Sequence, residues 1–134
     1  MKLNASGRLI AIGDVHGCVH ALDALLEAIT PVADDCLVFL GDLVDQGTDS
    51  REVLDRLIEL EQRCEVVLIQ GNHEEMMFAA REEEPALRYW EMCGGVATLN
   101  SYRYGGKLQD IPASHWALLE RSLPYLEMDD IIFT

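Results

Sequence analysis

Three short apolar runs shape the first half of this 134-residue chain, and all three end alike. Arg8 to Gly13, Cys36 to Gly41 and Glu65 to Gln70 have the length and the Leu, Ile and Val content of buried strands. The segments after the first two carry apolar residues at helical spacing: Leu22, Leu25, Leu26 and Ile29, then Val53, Leu54, Leu57 and Leu60. Pro31 closes the first helix, and Asp49 or Ser50 is the expected N-cap of the second. Strand, helix, strand, helix, strand predicts an α/β fold built on a parallel βαβαβ unit, with both faces of the sheet covered. Each strand then runs at once into glycine and polar ligand-type residues. The loops are Gly13-Asp14-Val15-His16-Gly17, Gly41-Asp42-Leu43-Val44-Asp45-Gln46-Gly47 and Gly71-Asn72-His73-Glu74. Asp14, Asp42 and Asn72 stand 28 and 30 residues apart, one strand–helix unit each. In a parallel sheet such loops emerge together at the carboxyl edge, where open α/β sheets bind their ligands.

Carboxylates gathered at one sheet edge repel one another and need a cation to stay ionised. A mixed set of Asp, His and Asn donors suits divalent Mn, Fe, Zn or Ni. The three loops hold no Cys, Cys18 lying just outside them, which argues against a structural zinc site. One Gly-Asp after a strand is ordinarily a turn, but three such loops in register point to a metal site. No phosphate-binding Gly-rich loop of the P-loop type occurs. The charge balance fits this reading. With 24 Asp and Glu against 10 Lys and Arg the net charge is −14, which works against general nucleic-acid binding. An acidic chain can still handle phosphate when some of its carboxylates hold metal. No apolar run reaches membrane-spanning length, and Met1 to Gly7 lacks the apolar stretch of a secretory signal. Cys18, Cys36, Cys64 and Cys93 form no CxxC pair and read as reduced, mostly buried thiols, so a cytoplasmic location is expected. The length fits a single domain over 1–134.

The second half reads less sharply. Helices are expected over Glu74 to Glu83, Pro85 to Met92 and Val96 to Tyr102, with a break at Gly94-Gly95. Pro112 should open a helix carrying Trp116, Leu118, Leu119 and Leu123, and Ile131 to Thr134 reads as a strand. Met76, Met77, Met92, Trp90 and Trp116 are assigned to packing, and His115 to a surface or capping position. Tyr102 to Tyr104, with Arg103, are candidate lining for a substrate groove.

Taken together, Gly-Asp-Val-His-Gly, Gly-Asp-Leu-Val-Asp-Gln-Gly and Gly-Asn-His-Glu resemble the three signature blocks of the metal-dependent phosphoprotein phosphatases, the calcineurin-like metallophosphoesterases. Glu74 to Met77 and Gly94 to Tyr102 look like the bacterial serine/threonine phosphatase branch. The resemblance implies a metallophosphoesterase sandwich of two mixed sheets flanked by helices. It implies two divalent metals, Mn foremost. Asp14, His16 and Asp42 would hold the first, and Asp42 and Asn72 the second. A metal-bound hydroxide would attack phosphorus in line. His73 would be the general acid, oriented and kept protonated by Asp45. The implied substrates are phosphate monoesters, phosphoprotein or small. The alternative is a symmetrical dinucleoside polyphosphate hydrolase, whose members usually lack Asp at position 45 and have Asp at position 74.

Two departures from the family pattern bear on activity. Gln46 stands where an Arg is usual, so a charged two-pronged grip on phosphate is lost. Gln46, Asn72 and Arg51, one helical turn further on, are the candidate phosphate contacts. The family also draws two further His ligands and an Arg from its C-terminal half, and Ile131 to Thr134 looks like the strand leading into the first of them. The chain therefore reads as C-terminally truncated, with one firmly held metal, and a catalytically impaired metal- or phosphate-binding remnant is a third alternative. Apolar sheet surface left bare would favour self-association.

Overall fold

The computed structural model describes residues 7–134. Of the stretch read for a secretory signal, Met1 to Gly7, residues 1–6 lie outside them. Strands β1 (Leu9–Ile12), β2 (Cys36–Phe39) and β3 (Glu65–Leu68) form a parallel sheet in chain order. Leu9 pairs with Cys36, and Cys36 with Glu65, so the three carboxyl ends lie level. Helices α1 (Val19–Ile29) and α2 (Ser50–Leu60) make the crossovers. Crossovers of one hand between adjacent strands place both helices on the same face.

Side-chain alternation divides the core accordingly. Leu37 and Phe39 of β2, with Ile12 and Leu68, meet Leu22, Leu26, Val53, Leu54 and Leu57 of the helices. Cys36, Val38, Val67 and Ile69 point the other way, onto Leu126, Met128 and Phe133 of an antiparallel hairpin, β4 (Leu126–Met128) and β5 (Ile131–Phe133). Both faces are covered as expected, one by helices and the other by a hairpin. β2 is buried along its whole length. Each of its fully buried large side chains contributes about 1.5–3 kcal/mol relative to exposure. The predicted stripe of α2 is fully buried, whereas Leu25 of α1 is partly exposed.

Beyond β3 the chain is largely helical: α3 (Asn72–Ala80), α4 (Glu84–Trp90), α5 (Val96–Tyr102) and α6 (Ala113–Glu120). α3 starts at Asn72 rather than Glu74, because the third loop itself forms the first helical turn. α4 and α5 are joined by a π-turn, Glu91–Gly95, where the expected break falls at Gly94 with φ of 115°. α6 begins one residue after Pro112.

Several packing expectations need correction. Met92 is exposed, since the π-turn carries it outward, while Met77 is in the core. Cys36 and Cys64 are buried, but Cys18 is exposed and Cys93 intermediate. His115 is buried, with Nδ1 2.7 Å from the Tyr102 hydroxyl and Nε2 2.6 Å from Asp55. Burial pushes the Tyr102 phenol up, and the ring serves the α5–α6 contact rather than a groove. Tyr104 is exposed.

Candidate metal centre

Backbone hydrogen bonds lock the three loops together. The Asp42 carbonyl accepts from the N–H groups of Val15 and His16 at 3.1 and 2.9 Å, and Gly17 donates to Leu43. Gly47 donates back to His16 at 3.0 Å. The third loop is tied in by Glu74. Only 1 % exposed, its carboxylate accepts from Asp42 N–H at 2.7 Å, Leu43 at 2.9 Å, Gly71 at 3.1 Å and Val44 at 3.4 Å. Burial pushes the Glu74 carboxyl up, and the four backbone donors pull it back. Glycine is required where loops two and three meet. A Cβ on Gly71 would stand 2.4 Å from the Asp42 nitrogen, and one on Gly41, whose φ is 99°, 2.6 Å from the Gly71 nitrogen.

Asp14, His16 and Asp42 converge as expected: one donor atom from each lies within 4.8 Å of the others. His16 Nε2 is 3.8 Å from Asp14 Oδ2 and 4.0 Å from Asp42 Oδ2. Adjacent ligands about 2.2 Å from one ion lie about 3.1–3.6 Å apart, so slight closure of the three donors suffices to bind a divalent metal. The His16 tautomer fits too. Its Nδ1 lies 2.9 Å from the Val44 carbonyl, which can only accept, so Nδ1 carries the proton and Nε2 presents a lone pair to the two carboxylates. Asp42 Oδ1 also accepts from the His73 N–H at 3.1 Å, in the first turn of α3. The Asn72 amide faces the same carboxylate. Turned nitrogen-inward it donates to both Asp42 oxygens at 3.1 Å, and turned oxygen-inward it leaves three oxygens together, an arrangement a second cation relieves. The donor set thus fits the implied metals, three donors at one position and two at the neighbouring one.

Beside this cluster lies a buried dyad. His73 Nδ1 is 2.8 Å from Asp45 Oδ2, and the His73 ring stands edge-on to His16 with centroids 4.8 Å apart. The Asp45 side chain is fully buried, which pushes its carboxyl up; bonds from Thr98, His73 and Trp90 oppose the shift. Four residues of these loops hold left-handed backbone without being glycine: His16, Asp42, Asp45 and Gln46, with φ of 44°, 50°, 76° and 70°.

Gln46 is exposed, and its N–H donates to the Gly94 carbonyl at 3.2 Å, which brings the π-turn against the second loop. Arg51 lies half exposed in the first turn of α2, 4.0 Å from Asp55 as its ion-pair partner. Ser50 does not cap α2; its hydroxyl turns inward to Asp45 and Thr98. The residues missed from sequence are Glu74 as a loop clamp, and Trp90 and Thr98 as partners of Asp45. The signal available for Glu74 was its place three residues into α3, where a Glu reaches back to the N-cap N–H.

Parallel strands delivering a carboxylate–imidazole cluster and a His–Asp dyad to one edge define a metallophosphoesterase centre. The calcineurin-like phosphoesterase family profile matches residues 7–130, and the chain belongs to that family of metal-dependent hydrolases. Among curated relatives, a symmetrical bis(5'-nucleosyl)-tetraphosphatase of Legionella pneumophila (strain Lens) is 46% identical over 65 residues, 48% of this chain and 23% of that protein. The enzyme of the same name from Burkholderia pseudomallei (strain 668) is 33% identical over 103 residues, 77% of this chain and 32% of that protein. The match thus spans about a third or less of these relatives' length. Among solved structures, a putative diadenosine tetraphosphatase superposes with a TM-score of 0.65 at 26% identity, over 93% of this chain and 47% of that one. A cold-active protein-tyrosine phosphatase from Shewanella shares the fold, with a TM-score of 0.65 at 21% identity over 98% of this chain and 44% of that one.

Proposed function

We propose that the chain forms one metallophosphoesterase domain whose substrates are dinucleoside polyphosphates. The observation that supports this substrate class is the likeness to symmetrical tetraphosphatases, at 46% identity over 65 residues in one and 33% over 103 residues in another. Asp14, His16 and Asp42 hold the first metal, and Asp42 with Asn72 the second, with Mn2+ the expected ion. A divalent ion there supplies positive charge beside the phosphate oxygens and lowers the pKa of water. The chain's own residues do the rest. Asp42, fixed by the His73 N–H and by loop contacts on both sides, sets the spacing of the two positions. Glu74 keeps the loops in register before any ligand arrives. His73, braced by Asp45, delivers a proton to the leaving oxygen. Gln46, Asn72 and Arg51 remain the candidate phosphate contacts.

A second reading, hydrolysis of phosphate monoesters, is favoured by the dyad itself. A nucleotide is a good leaving group and needs little proton assistance, whereas the alkoxide of a phosphoserine needs a great deal. An ordered Asp45–His73 pair suits the harder task. Turnover of diadenosine tetraphosphate and of a phosphoserine peptide with Mn2+ separates the two. Preferred cleavage of the tetraphosphate into two equal halves is expected. Preference for the peptide would install the monoester reading, and Mn2+ binding without turnover of either would favour a binding-only role.

A further inference from the structure

Asp45 takes its hydrogen bonds from a cradle that lies far away in sequence. The Trp90 indole Nε1–H donates to Asp45 Oδ2 at 2.8 Å, and the Thr98 hydroxyl donates to Oδ1 at 2.7 Å. Thr98 Oγ1 also accepts the Asp45 backbone N–H at 2.8 Å, so one side chain grips both ends of the residue. Trp90, Thr98 and Asp45 are all fully buried. The indole is pinned from behind, because a Cβ on Gly95 would come within 2.5 Å of it. In an uninterrupted helix, residues 90 and 98 would point about 80° apart. The break at Gly94 frees them from that phase, and both reach the same carboxylate. An indole N–H can only donate. With donors on both oxygens, Asp45 is held as an acceptor, and the His73 nitrogen that shares Oδ2 must bring a proton.

Resting on the reading of His73 as general acid, we infer that Trp90 and Thr98 are positioning residues: through Asp45 they fix His73 as the Nδ1–H tautomer and turn Nε2 toward the leaving oxygen. Neither touches substrate or metal. They act by denying Asp45 any other orientation.

The direct test needs no turnover. In the metal-free full chain, 15N NMR of labelled histidines at about pH 9, where imidazoles are neutral, reads the tautomer, with His73 assigned from a His73→Gln spectrum. The native chain and Thr98→Ser should show the proton on Nδ1. Thr98→Val and Trp90→Phe should lose part of that signature, and the double variant most of it. With Mn2+ present, the same two variants should lose about tenfold or more in kcat on an alkyl phosphate, with KM changed less than about twofold. The loss should shrink on p-nitrophenyl phosphate, whose leaving group needs no acid. An Nε2–H tautomer in the native chain, or an unchanged signature in folded variants, overturns the inference. Should Thr98→Val or Trp90→Phe fail to fold, Thr98→Ala and Trp90→Leu are read in the same way, and an unchanged signature in either overturns the inference. Absence of all turnover beside the expected spectra would instead remove the proposed function and leave the cradle standing.

Discussion

Glu74 shows how much one residue can hold. Both of its oxygens face backbone N–H donors of two loops, with no solvent to substitute for them. Glu74→Gln keeps the volume but turns an NH2 group toward those donors. Leaving buried donors unpaired should cost about 2–4 kcal/mol, read as a lowered urea midpoint. Gln46 represents the opposite case, an exposed residue that follows Asp45 in the second loop. Gln46→Arg would add a charged fork at no packing cost. A regained charged hydrogen bond is worth about 1.5–3 kcal/mol, so kcat/KM on p-nitrophenyl phosphate should rise roughly 10- to 100-fold. An unchanged value would show that Gln46 lies off the phosphate path. The grouping of Asp14, His16 and Asp42, with Asn72 and His73 beside it, was legible because each of the five stands two to five residues past the end of a strand. Trp90 and Thr98 were not, since hydrogen bonds across 45 and 53 residues leave no local pattern.

Between elements, the join most open to test is that of Arg8 and Asp35. The Arg8 guanidinium grips the Asp35 carboxylate at 3.0 and 2.5 Å and also reaches the carbonyls of Ile29 and Thr30 at the end of α1. It ties the start of β1 to the start of β2. That guanidinium, aided by the Val32 N–H at 2.9 Å, holds the Asp35 carboxyl well below the ordinary carboxylate range. Because the folded pKa is depressed, the stabilisation is present above the unfolded value near 3.9 and is lost as pH falls below it. Asp35→Asn should therefore lower the unfolding midpoint at pH 7, and the gap between variant and native chain should narrow toward about pH 3. The α1 and α2 stripes were readable because a helix packed on one sheet buries one face at constant period. The hairpin cover of the other face was not, since β4 has only three residues and its burial comes from the sheet it meets. His115 misled for a related reason: one histidine in the first turn of a helix looks exposed until Tyr102 and Asp55 close over it.

At the scale of the molecule, net charge and site act together. A chain of net charge −14 that gathers Asp14 and Asp42 beside each other gains twice from a divalent ion, through coordination and through relief of repulsion. Mn2+ at 100 times its Kd should add about 2.7 kcal/mol and raise the unfolding temperature, whereas equal ionic strength of NaCl should do much less. Asp14→Ala should abolish the Mn2+ shift while leaving the metal-free unfolding temperature near its native value, since the Asp14 side chain is 63% exposed. Among the described residues no helix is long and apolar enough to cross a membrane.

The left-handed backbone at His16, Asp42, Asp45 and Gln46 carries a consequence for how such a chain can change. Each of these residues sits where glycine would be at ease, at a cost of about 1–3 kcal/mol when the conformation is sparsely populated. Natural stabilities total only about 5–15 kcal/mol. At Gln46, whose side chain is exposed, a change to glycine would relieve the backbone and strengthen the fold while removing a proposed phosphate contact, whereas at Asp45 it would leave the buried Trp90 and Thr98 donors unpaired and weaken the fold. Heat tolerance and turnover are thus opposed at one residue and allied at its neighbour, and selection for either can be told from the other by whether Gln46 survives.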